Sequence, residues 1–526
     1  MLRKLTFLIF FALACGSQEN TQFKSADEIN QLPLDHYQET YRPQVHFSPI
    51  SGWMNDPNGM IYYEGEYHLF YQHYPDSTVW GPMHWGHAIS TDLIHWEHLP
   101  IALFPDSLGY IFSGSVVLDK ANTTGLGTLE KPVLVALFTY HNRAIEEAGG
   151  KDYQYQGLAY SSDKGRTWTK YLNNPVLPNL GQPDFRDPKV FWHKESRKWI
   201  MILAVRDHVE LFGSGNLIDW KFLSRFGDQD GEHRGVWECP DLIPLKVEGT
   251  NEYKWILIAS INQGPANRGS CTQYFVGDFD GIKFINGASS SEVKWMDAGW
   301  DNYAGVTYAN TQQLADRTIY QGWMSNWEYA IVTPTIKWRS AMTLPREINL
   351  LTDSVRFWIR QNPVIELNNL RKDTLKVNSL KLSGEQDWSK YLSITEPLLD
   401  IDIVLRKSGQ MSSWYFLLSN EKNEELAFGF DEATEEYFVN REKATLLNFS
   451  TSYQSKHTAP RISSNNEMRV RVLLDQSSIE IFYDEGDVVF TEQLFPTQPF
   501  TRMSLTSPNT VLEVEGAVYH LTSIWH

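Results

Sequence analysis

The segment Gly86-His87-Ala88-Ile89-Ser90-Thr91-Asp92, which leads on to Trp96, returns in altered form along the chain. Its variants are Gly157-Leu158-Ala159-Tyr160-Ser161-Ser162-Asp163 before Trp168, Gly213-Ser214-Gly215-Asn216-Leu217-Ile218-Asp219 before Trp220, and Gly277-Asp278-Phe279-Asp280-Gly281 before Phe284. Each variant indicates a strand, a polar turn and an aromatic residue on an edge strand. Recurrence at roughly 50 to 70 residues is typical of the blades of a β-propeller.

The chain around this repeat consists of short runs of Val, Ile, Tyr, Phe and Trp that are interrupted by Gly, Pro, Asn and Asp. One example is Met60-Ile61-Tyr62-Tyr63, which is followed by Glu64-Gly65 and then by Tyr67-His68-Leu69-Phe70-Tyr71. This pattern predicts antiparallel hairpins. No long window keeps a helical period, which argues against α/β folds with crossover helices. The sequence therefore predicts an all-β protein.

Three short segments each hold one carboxylate among aromatic, proline or glycine neighbours that stiffen the backbone. They are Trp53-Met54-Asn55-Asp56-Pro57-Asn58-Gly59, Phe185-Arg186-Asp187-Pro188 and Trp237-Glu238-Cys239-Pro240. The segments lie far apart in sequence, but the loops of successive propeller blades converge on the central axis. Glycoside hydrolysis needs two acids in unlike surroundings, and such a fold could supply them.

The neighbours of each acid suggest which catalytic role it could take. Asp56 precedes Pro57, which holds the backbone extended, and nearby amide donors would keep Asp56 ionised as a nucleophile. Glu238 lies between a tryptophan and a cysteine, a poorly solvated setting that should raise its pKa and suit it to be the acid. Arg186 should keep Asp187 charged, able to bind sugar hydroxyls and to stabilise positive charge. On composition alone, each acid could equally cap a turn or pair with a surface cation.

The overall composition narrows the possible partners. The 526 residues include 64 acidic and 46 basic ones, a formal charge of −18 that argues against nucleic acid or an anionic membrane as a partner. Aromatic residues make up 13% of the chain. Most of them should pack in the core, but aromatic rings also stack on the apolar faces of sugars. A neutral sugar fits this composition better than a charged ligand.

The N-terminus predicts export from the cytoplasm. Arg3 and Lys4 precede an apolar stretch that ends at Ala14 and is too short to span a bilayer. The following Cys15 completes a segment that resembles a bacterial lipobox, so residues 1–15 are predicted to be a signal peptide with Cys15 as the lipidation site. Ordinary signal-peptide cleavage is the alternative. Residues 16–40 have the composition of a flexible tether. We expect a periplasmic or cell-surface protein of a bacterium, in contact with a membrane only through this anchor.

The amino-acid composition of the chain changes near residue 355. The prediction is a propeller over residues 41–355, a linker over 356–375 and a β-sandwich over 376–526. Ser478-Ile479-Glu480-Ile481-Phe482-Tyr483 and Val488-Val489-Phe490 form one predicted hairpin of the sandwich. Outside the predicted lipobox only Cys239 and Cys271 remain, so a single bridge between them is possible.

The three acid-bearing segments, in this order, resemble the signature blocks of glycoside hydrolase family 32, the invertases, inulinases and levanases. The resemblance extends over essentially the whole mature chain. Further similar segments are Phe70-Tyr71-Gln72, Trp80-Gly81, Trp85-Gly86-His87-Ala88, Phe112-Ser113-Gly114-Ser115, residues 297–304, Gly322-Trp323-Met324, residues 339–347 and residues 478–496.

This resemblance implies a five-bladed β-propeller followed by a β-sandwich, and a retaining double displacement at a β-linked fructofuranosyl C2. It implies Asp56 as the nucleophile, Glu238 as the acid that becomes the base, and Asp187 as the stabiliser of the transition state. It requires no metal and no organic cofactor. The residues that it places in the fructose pocket are Trp53, Asn55, Gln72, Trp80, Phe112, Ser113, Arg186, Tyr303 and Trp323.

We therefore expect an exo-β-fructosidase that removes terminal fructose from levan or inulin and also from sucrose. The segment Met324-Ser325-Asn326-Trp327-Glu328-Tyr329-Ala330 favours fructans, because it resembles microbial fructanases. A fructosyltransferase would keep the same three acids. A fructan-binding surface protein without catalysis is the rival from another class, and the presence of all three carboxylates argues against it. The sequence leaves the oligomeric state open.

Overall fold

The structure is a computed structural model that describes residues 37–264, 269–311, 314, 317–392, 397–407 and 409–525. The predicted signal peptide, Cys15 and residues 16–36 of the predicted tether lie outside the described residues. Residues 37–40 are packed rather than tethering, since the Tyr37 ring stacks on Trp525 with 3.9 Å between centroids. No helix in the described part of the chain is long and apolar enough to cross a membrane.

The N-terminal domain consists of five antiparallel sheets. The first contains β1 (Gly52–Tyr63), β2 (Glu66–Tyr74), β3 (His84–Ser90) and β4 (Glu97–Leu103). The second contains β5 (Tyr110–Asp119), β6 (Val133–His141), β7 (Gln154–Ser161) and β8 (Thr169–Lys170), with helix α1 (Arg143–Glu147) between β6 and β7. The third contains β9 (Phe185–His193), β10 (Lys198–Val205), β11 (His208–Ser214) and β12 (Trp220–Phe226).

The other two sheets complete the domain. The fourth contains β13 (Val236–Lys246), β14 (Tyr253–Gly264), β15 (Gly269–Phe279), β16 (Phe284–Asn286) and β17 (Lys294–Trp295). The fifth contains β18 (Tyr303–Thr307), β19 (Ile319–Met324), β21 (Ala341–Met342), β22 (Arg346–Thr352) and β23 (Phe357–Pro363). The short strand β20 (Trp338–Arg339) crosses back and pairs in parallel with the start of β1, which ties the last sheet to the first.

The first strands of the five sheets, β1, β5, β9, β13 and β18, contact one another in a closed ring. Each sheet is therefore one blade around a common axis, and the predicted five-bladed propeller is confirmed.

The sequence repeat corresponds to one turn geometry between the last two main strands of a blade. In the first blade, Asp92 Oδ1 accepts hydrogen bonds from the backbone N–H groups of Ile94 and His95. The Trp96 indole then donates to the Leu93 carbonyl at 3.1 Å. Short polar side chains favour such turns because they replace backbone partners. The corresponding groups in later blades are Asp163 with Trp168, Asn216 with Trp220, and Asp280.

Every innermost strand also carries a β-bulge near its beginning, where two residues oppose one residue of the neighbouring strand. A bulge re-aims side chains and bends the strand. Three bulged residues have a positive φ, at 64°, 47° and 54° for Asp187, Cys239 and Ala304. The five bulges are at Asn55-Asp56, Phe112-Ser113, Asp187-Pro188, Cys239-Pro240 and Ala304-Gly305.

The C-terminal domain has ten strands. They are β24 (Arg371–Asp387), β25 (Leu399–Arg406), β26 (Trp414–Ser419), β27 (Glu425–Asp431), β28 (Glu436–Lys443), β29 (Lys456–Pro460), β30 (Glu467–Asp475), β31 (Ser478–Tyr483), β32 (Val488–Gln493) and β33 (Arg502–Leu521). The long strand β33 pairs with β26 through its first residues and with β25 through its last ones. It thus joins two layers around one hydrophobic core, as expected for a β-sandwich.

The predicted linker over residues 356–375 is wrong in detail. Phe357–Pro363 is β23 of the fifth blade, and β24 of the sandwich already begins at Arg371. The short 3-10 helix Ile365–Leu370 makes the connection. The polar composition that suggested a linker belongs partly to β24, because most of its side chains are exposed or half-exposed.

Candidate active site

The bulged beginnings of four inner strands, β1, β5, β9 and β13, line a cavity of about 340 Å³ at one end of the propeller axis. It contains all three acids singled out in the sequence. Nine of the twelve predicted catalytic and pocket residues line it. The lining residues are Asn55, Asp56, Gln72, Trp80, Phe112, Ser113, His141, Glu146, Tyr153, Gln154, Asp184, Arg186, Asp187, Glu238, Asn262 and Trp327.

Asp56 accepts hydrogen bonds from uncharged groups. The Ser113 hydroxyl, on the bulge of the second blade, donates to Oδ2 at 2.6 Å. The Asn55 amide donates to Oδ1 at 3.0 Å, and the Cys239 thiol lies 3.4 Å from Oδ2. Donors from three blades therefore fix the orientation of this carboxylate, and among the described residues it forms no ion pair.

Asp187 is buried beneath the other two acids. The backbone N–H of Cys239 donates to its Oδ2 at 3.0 Å, and Arg186 Nε lies 3.9 Å from the same oxygen. Burial, with the repulsion of Glu238 and Asp56, raises the pKa of Asp187 to about 7 despite the opposing effect of Arg186. Arg186 was expected to keep Asp187 charged, but desolvation outweighs the effect of this cation on the pKa.

Glu238 accepts from two different donors. The Arg186 guanidinium donates to Oε1 at 2.7 Å, and the Tyr303 hydroxyl donates to Oε2. Burial and the neighbouring Glu238 charge raise the pKa of Tyr303 well above its usual value, so this hydroxyl remains a donor. Arg186 also pairs with Asp184 at 2.6 Å, so one guanidinium is shared between two carboxylates.

Trp53, Tyr303 and Trp323 are fully buried and do not line the cavity. Trp53 instead donates its indole N–H to Asn55 Oδ1 at 2.7 Å. The ring that faces the cavity is Trp327, which packs on Trp53 and Trp323 with centroid distances of 5.8 and 4.9 Å. From the sequence, the segment around Trp327 predicted only substrate preference. The position of Trp327 in the wall of the cavity was not predicted.

A group of polar residues that line the cavity was not predicted from the sequence. They are His141, Glu146, Tyr153, Gln154 and Asp184 at the second and third blades and Asn262 of the fourth blade. His141 stacks on the Phe112 ring at 4.3 Å with an interplanar angle of 3°. Trp80 meets the same Phe112 ring edge-on at 6.0 Å. Phe112 thus joins two walls of the cavity. No motif marked these polar residues, since the segment around α1 has no matching block.

Cys239 and Cys271 are both free, which settles the possible bridge. The Cys239 thiol contacts Asp56 and Asp187, the latter at 3.7 Å, rather than the adjacent Glu238 carboxylate. Burial raises its pKa well above the usual thiol value, helped by the nearby carboxylates. The side chain is thus a neutral, weak hydrogen-bond donor at the base of the cavity.

Carboxylates with unlike hydrogen-bond partners in one cavity are typical of glycoside hydrolases, and comparison with known proteins makes the class specific. The N-terminal domain model of the family 32 glycosyl hydrolases matches residues 46–363, and the C-terminal model matches residues 366–525. The chain therefore belongs to glycoside hydrolase family 32, as its sequence segments indicated.

Individual relatives agree with this assignment. The chain is 42% identical over 529 residues to a levanase of Bacillus subtilis, covering 99% of this chain and 75% of that protein. It is 37% identical over 521 residues to an extracellular exo-inulinase of Aspergillus niger, covering 93% of this chain and 96% of that protein. Its structure resembles the crystal structure of the Aspergillus awamori exo-inulinase with a TM-score of 0.83 at 34% identity, covering 93% and 100% of the two chains.

Proposed function

We propose that the protein is a retaining exo-β-fructosidase that releases terminal fructose from fructans, and from sucrose, through a fructosyl-enzyme. The observation that carries the proposal is that Asp56 and Glu238 line the same cavity and have different hydrogen-bond partners. Asp56 accepts only from neutral donors, as suits a nucleophile. Glu238 is held by Arg186 and Tyr303, as suits a group that changes its protonation state.

In the first step Asp56 attacks the anomeric carbon while protonated Glu238 gives its proton to the leaving oxygen. In the structure Arg186 donates to Glu238 Oε1 at 2.7 Å, and a guanidinium at the same distance could donate to sugar oxygens instead. We therefore expect Arg186 to turn toward sugar hydroxyls when substrate binds. In the second step ionised Glu238 activates water, which releases fructose from Asp56. Asp187 binds fructose hydroxyls and stabilises the positive charge that develops.

The shape of the cavity supports attack at a chain end. Its volume of about 340 Å³ is at the small end for ligand sites, and only about 10 Å³ remains in the next cavity along the axis, behind Asp187 and Cys239. Attack in the middle of a fructan would need a longer groove that holds sugar units on both sides of the cleaved bond. The names of the relatives, levanase and exo-inulinase, support a fructan as substrate.

Chromatography of the products from levan, inulin and sucrose tests this proposal. Fructose as the only early product from the polymers supports exo attack, and a ladder of oligomers would contradict it. Longer oligosaccharides accumulating at high sucrose would instead indicate a fructosyltransferase. Binding of fructan without any release of fructose would favour a non-catalytic binding protein.

We further propose export with a lipid anchor on Cys15, based on the N-terminal segment. One relative is named an extracellular enzyme, which supports export. Incorporation of a labelled fatty acid into the wild-type protein, and its loss in Cys15→Ala, would support the anchor. Equal labelling of both proteins, or of neither, would contradict it.

A further inference from the structure

Helix α1 places one carboxylate at the edge of the cavity. The Asn142 side chain caps the helix by accepting from the Ile145 N–H, and the Gly150 N–H donates to the Ile145 carbonyl at 2.9 Å. These bonds fix a short loop whose helical residues are all unburied. Of the residues in α1, Glu146 lines the cavity, while its neighbour Glu147 pairs with Arg143 at 2.7 Å on the surface.

Glu146 is tied to the catalytic group by a chain of hydrogen bonds. Its Oε2 lies 3.2 Å from His141 Nε2, and His141 Nδ1 lies 3.3 Å from the Gln154 amide nitrogen. The Gln154 carbonyl oxygen accepts from Arg186 at 3.4 Å. Arg186 in turn donates to Glu238, so the chain ends at the candidate acid.

The protonation states along this chain are mutually consistent. Burial, with the nearby Arg186, lowers the pKa of His141 to about 4, so the imidazole is neutral near pH 7. Since the Gln154 amide donates to Nδ1, the imidazole proton lies on Nε2 and is donated to Glu146. The histidine therefore holds one oxygen of the Glu146 side chain in place.

The second oxygen of Glu146 remains for a ligand. The side chain is 47% exposed at the cavity edge, whereas those of Asp187 and Glu238 are 6% and 15% exposed. An ionised carboxylate is a strong acceptor for hydroxyl groups, and a neutral sugar offers several of them. The chain of bonds ends at Glu238, which would face the leaving oxygen. Glu146 lines the same cavity at its exposed edge, and a sugar attached to the leaving oxygen has to extend from the acids toward that edge.

We propose that Glu146 is a specificity-determining residue that accepts hydrogen bonds from the hydroxyls of the sugar unit attached to the fructose being released. This inference rests on the proposed exo-β-fructosidase function. It gives the α1 loop a role in choosing the leaving sugar, separate from the recognition of fructose itself.

Kinetics of Glu146→Ala on three substrates tests the inference: sucrose, a fructosyl trisaccharide and methyl β-D-fructofuranoside, whose leaving group carries no further hydroxyl. We expect KM for sucrose and the trisaccharide to rise about tenfold, the effect of losing one hydrogen bond to a charged group. The methyl fructoside should keep its wild-type KM and kcat. Glu147→Ala, on the same helix with a 63% exposed side chain, is the matched control and should leave all substrates unaffected.

Two outcomes would overturn the inference. An equal loss on all three substrates would mean that Glu146 acts only by orienting His141 and Arg186. Unchanged kinetics on all three would mean that the carboxylate meets no substrate. The proposed function is tested separately by the wild-type enzyme, because a protein that released no fructose even from the methyl fructoside would contradict that function as well.

Discussion

Arginine and carboxylate groups are combined in two regions of this molecule, the cavity on the propeller axis and the interface between the two domains. At the interface, Arg346 lies 2.8 Å from Asp297 and 2.7 Å from Glu480, and all three side chains are buried. Arg441 similarly bridges Asp301 and Glu492 at 2.6 and 2.8 Å. In the cavity, Arg186 is the cation next to Asp184, Asp187 and Glu238.

The difference lies in how completely the negative charge is neutralised. At the interface, buried His46 adds a second cation: its bonds to Asp475 and Glu480 outweigh burial and raise its pKa to about 9. The pKa of Glu480 is lowered, because Arg346 and His46 together overcome its burial. In the cavity, negative charge is in excess and the pKa of Asp187 rises. At the interface two cations, Arg346 and His46, meet three carboxylates, whereas in the cavity Arg186 meets three. The more completely neutralised groups hold the two domains together, and the less neutralised ones remain available for substrate and protons.

The largest effect should come from removing the unpaired carboxylate. We expect Asp56→Ala to lower kcat on sucrose by about 10⁴-fold or more, because no fructosyl-enzyme can form. Initial rates of fructose release measure this effect. Binding of a fructo-oligosaccharide, measured by calorimetry, should remain close to that of the wild type.

The matched control is Asp76→Asn, which changes an exposed aspartate in the turn after β2 and should leave kcat unchanged. A kcat for Asp56→Ala within a hundredfold of the wild type would contradict the nucleophile assignment.

The interface should respond in stability rather than in activity. Arg346→Met leaves Asp297 and Glu480 buried with fewer donors, and we expect a loss of about 3–5 kcal/mol in the free energy of unfolding. The kcat of the folded enzyme should change little, because Arg346 does not line the cavity. Urea unfolding and initial rates measure the two effects.

Arg356→Met is the control for this change. Arg356 is 52% exposed and pairs with Asp353, so its removal should cost less than about 1 kcal/mol. Equal destabilisation by both variants would mean that the interface network behaves like a surface ion pair.

The pH dependence of the folding stability that Asp187 contributes distinguishes the cavity further from the domain interface. Its pKa is 3.8 in the unfolded chain and about 7 in the fold, so the folded state binds the extra proton between these values. Folding stability contributed by this group is therefore present below pH 4 and is lost as the pH rises through 7. We expect Asp187→Asn to be about 1–4 kcal/mol more stable than the wild type at pH 8, with little difference near pH 4.

Urea unfolding of both proteins at pH 4 and pH 8 measures this difference. Other titrating groups are shared by the two proteins and cancel. A stability difference that is the same at both pH values would contradict the raised pKa of Asp187.

The propeller could be predicted from the sequence because each blade repeats a local structure. The Asp92 turn and the Trp96 indole bond involve neighbours within four residues, so their pattern is visible in the chain. The family resemblance then supplied the number of blades. The boundary between β23 and β24 could not be located in the same way, since the largely exposed strand β24 and a linker have similar composition.

The candidate active site could be predicted from the sequence only in part, for a related reason. Stiff segments revealed the acids, because each acid lies on or next to a bulge. The pKa of Asp187 depends instead on charges brought in by other blades. The placement of Trp327 in front of Trp53 likewise depends on packing between distant segments, and no local pattern encodes such distances.

The smallest effect should come from Cys239, whose thiol touches the acids without carrying charge. Its contacts with Asp56 and Asp187 are long, at 3.4 and 3.7 Å, and a thiol is a weak donor. We expect Cys239→Ala to lower kcat by about threefold to tenfold, the effect of one weak hydrogen bond. Cys239→Ser should recover most of the rate, because its hydroxyl keeps a donor at this position. The backbone N–H that holds Asp187 is unaffected in both variants. A loss as large as that of Asp56→Ala, or a serine variant no better than alanine, would mean that the cysteine does more than orient the nucleophile.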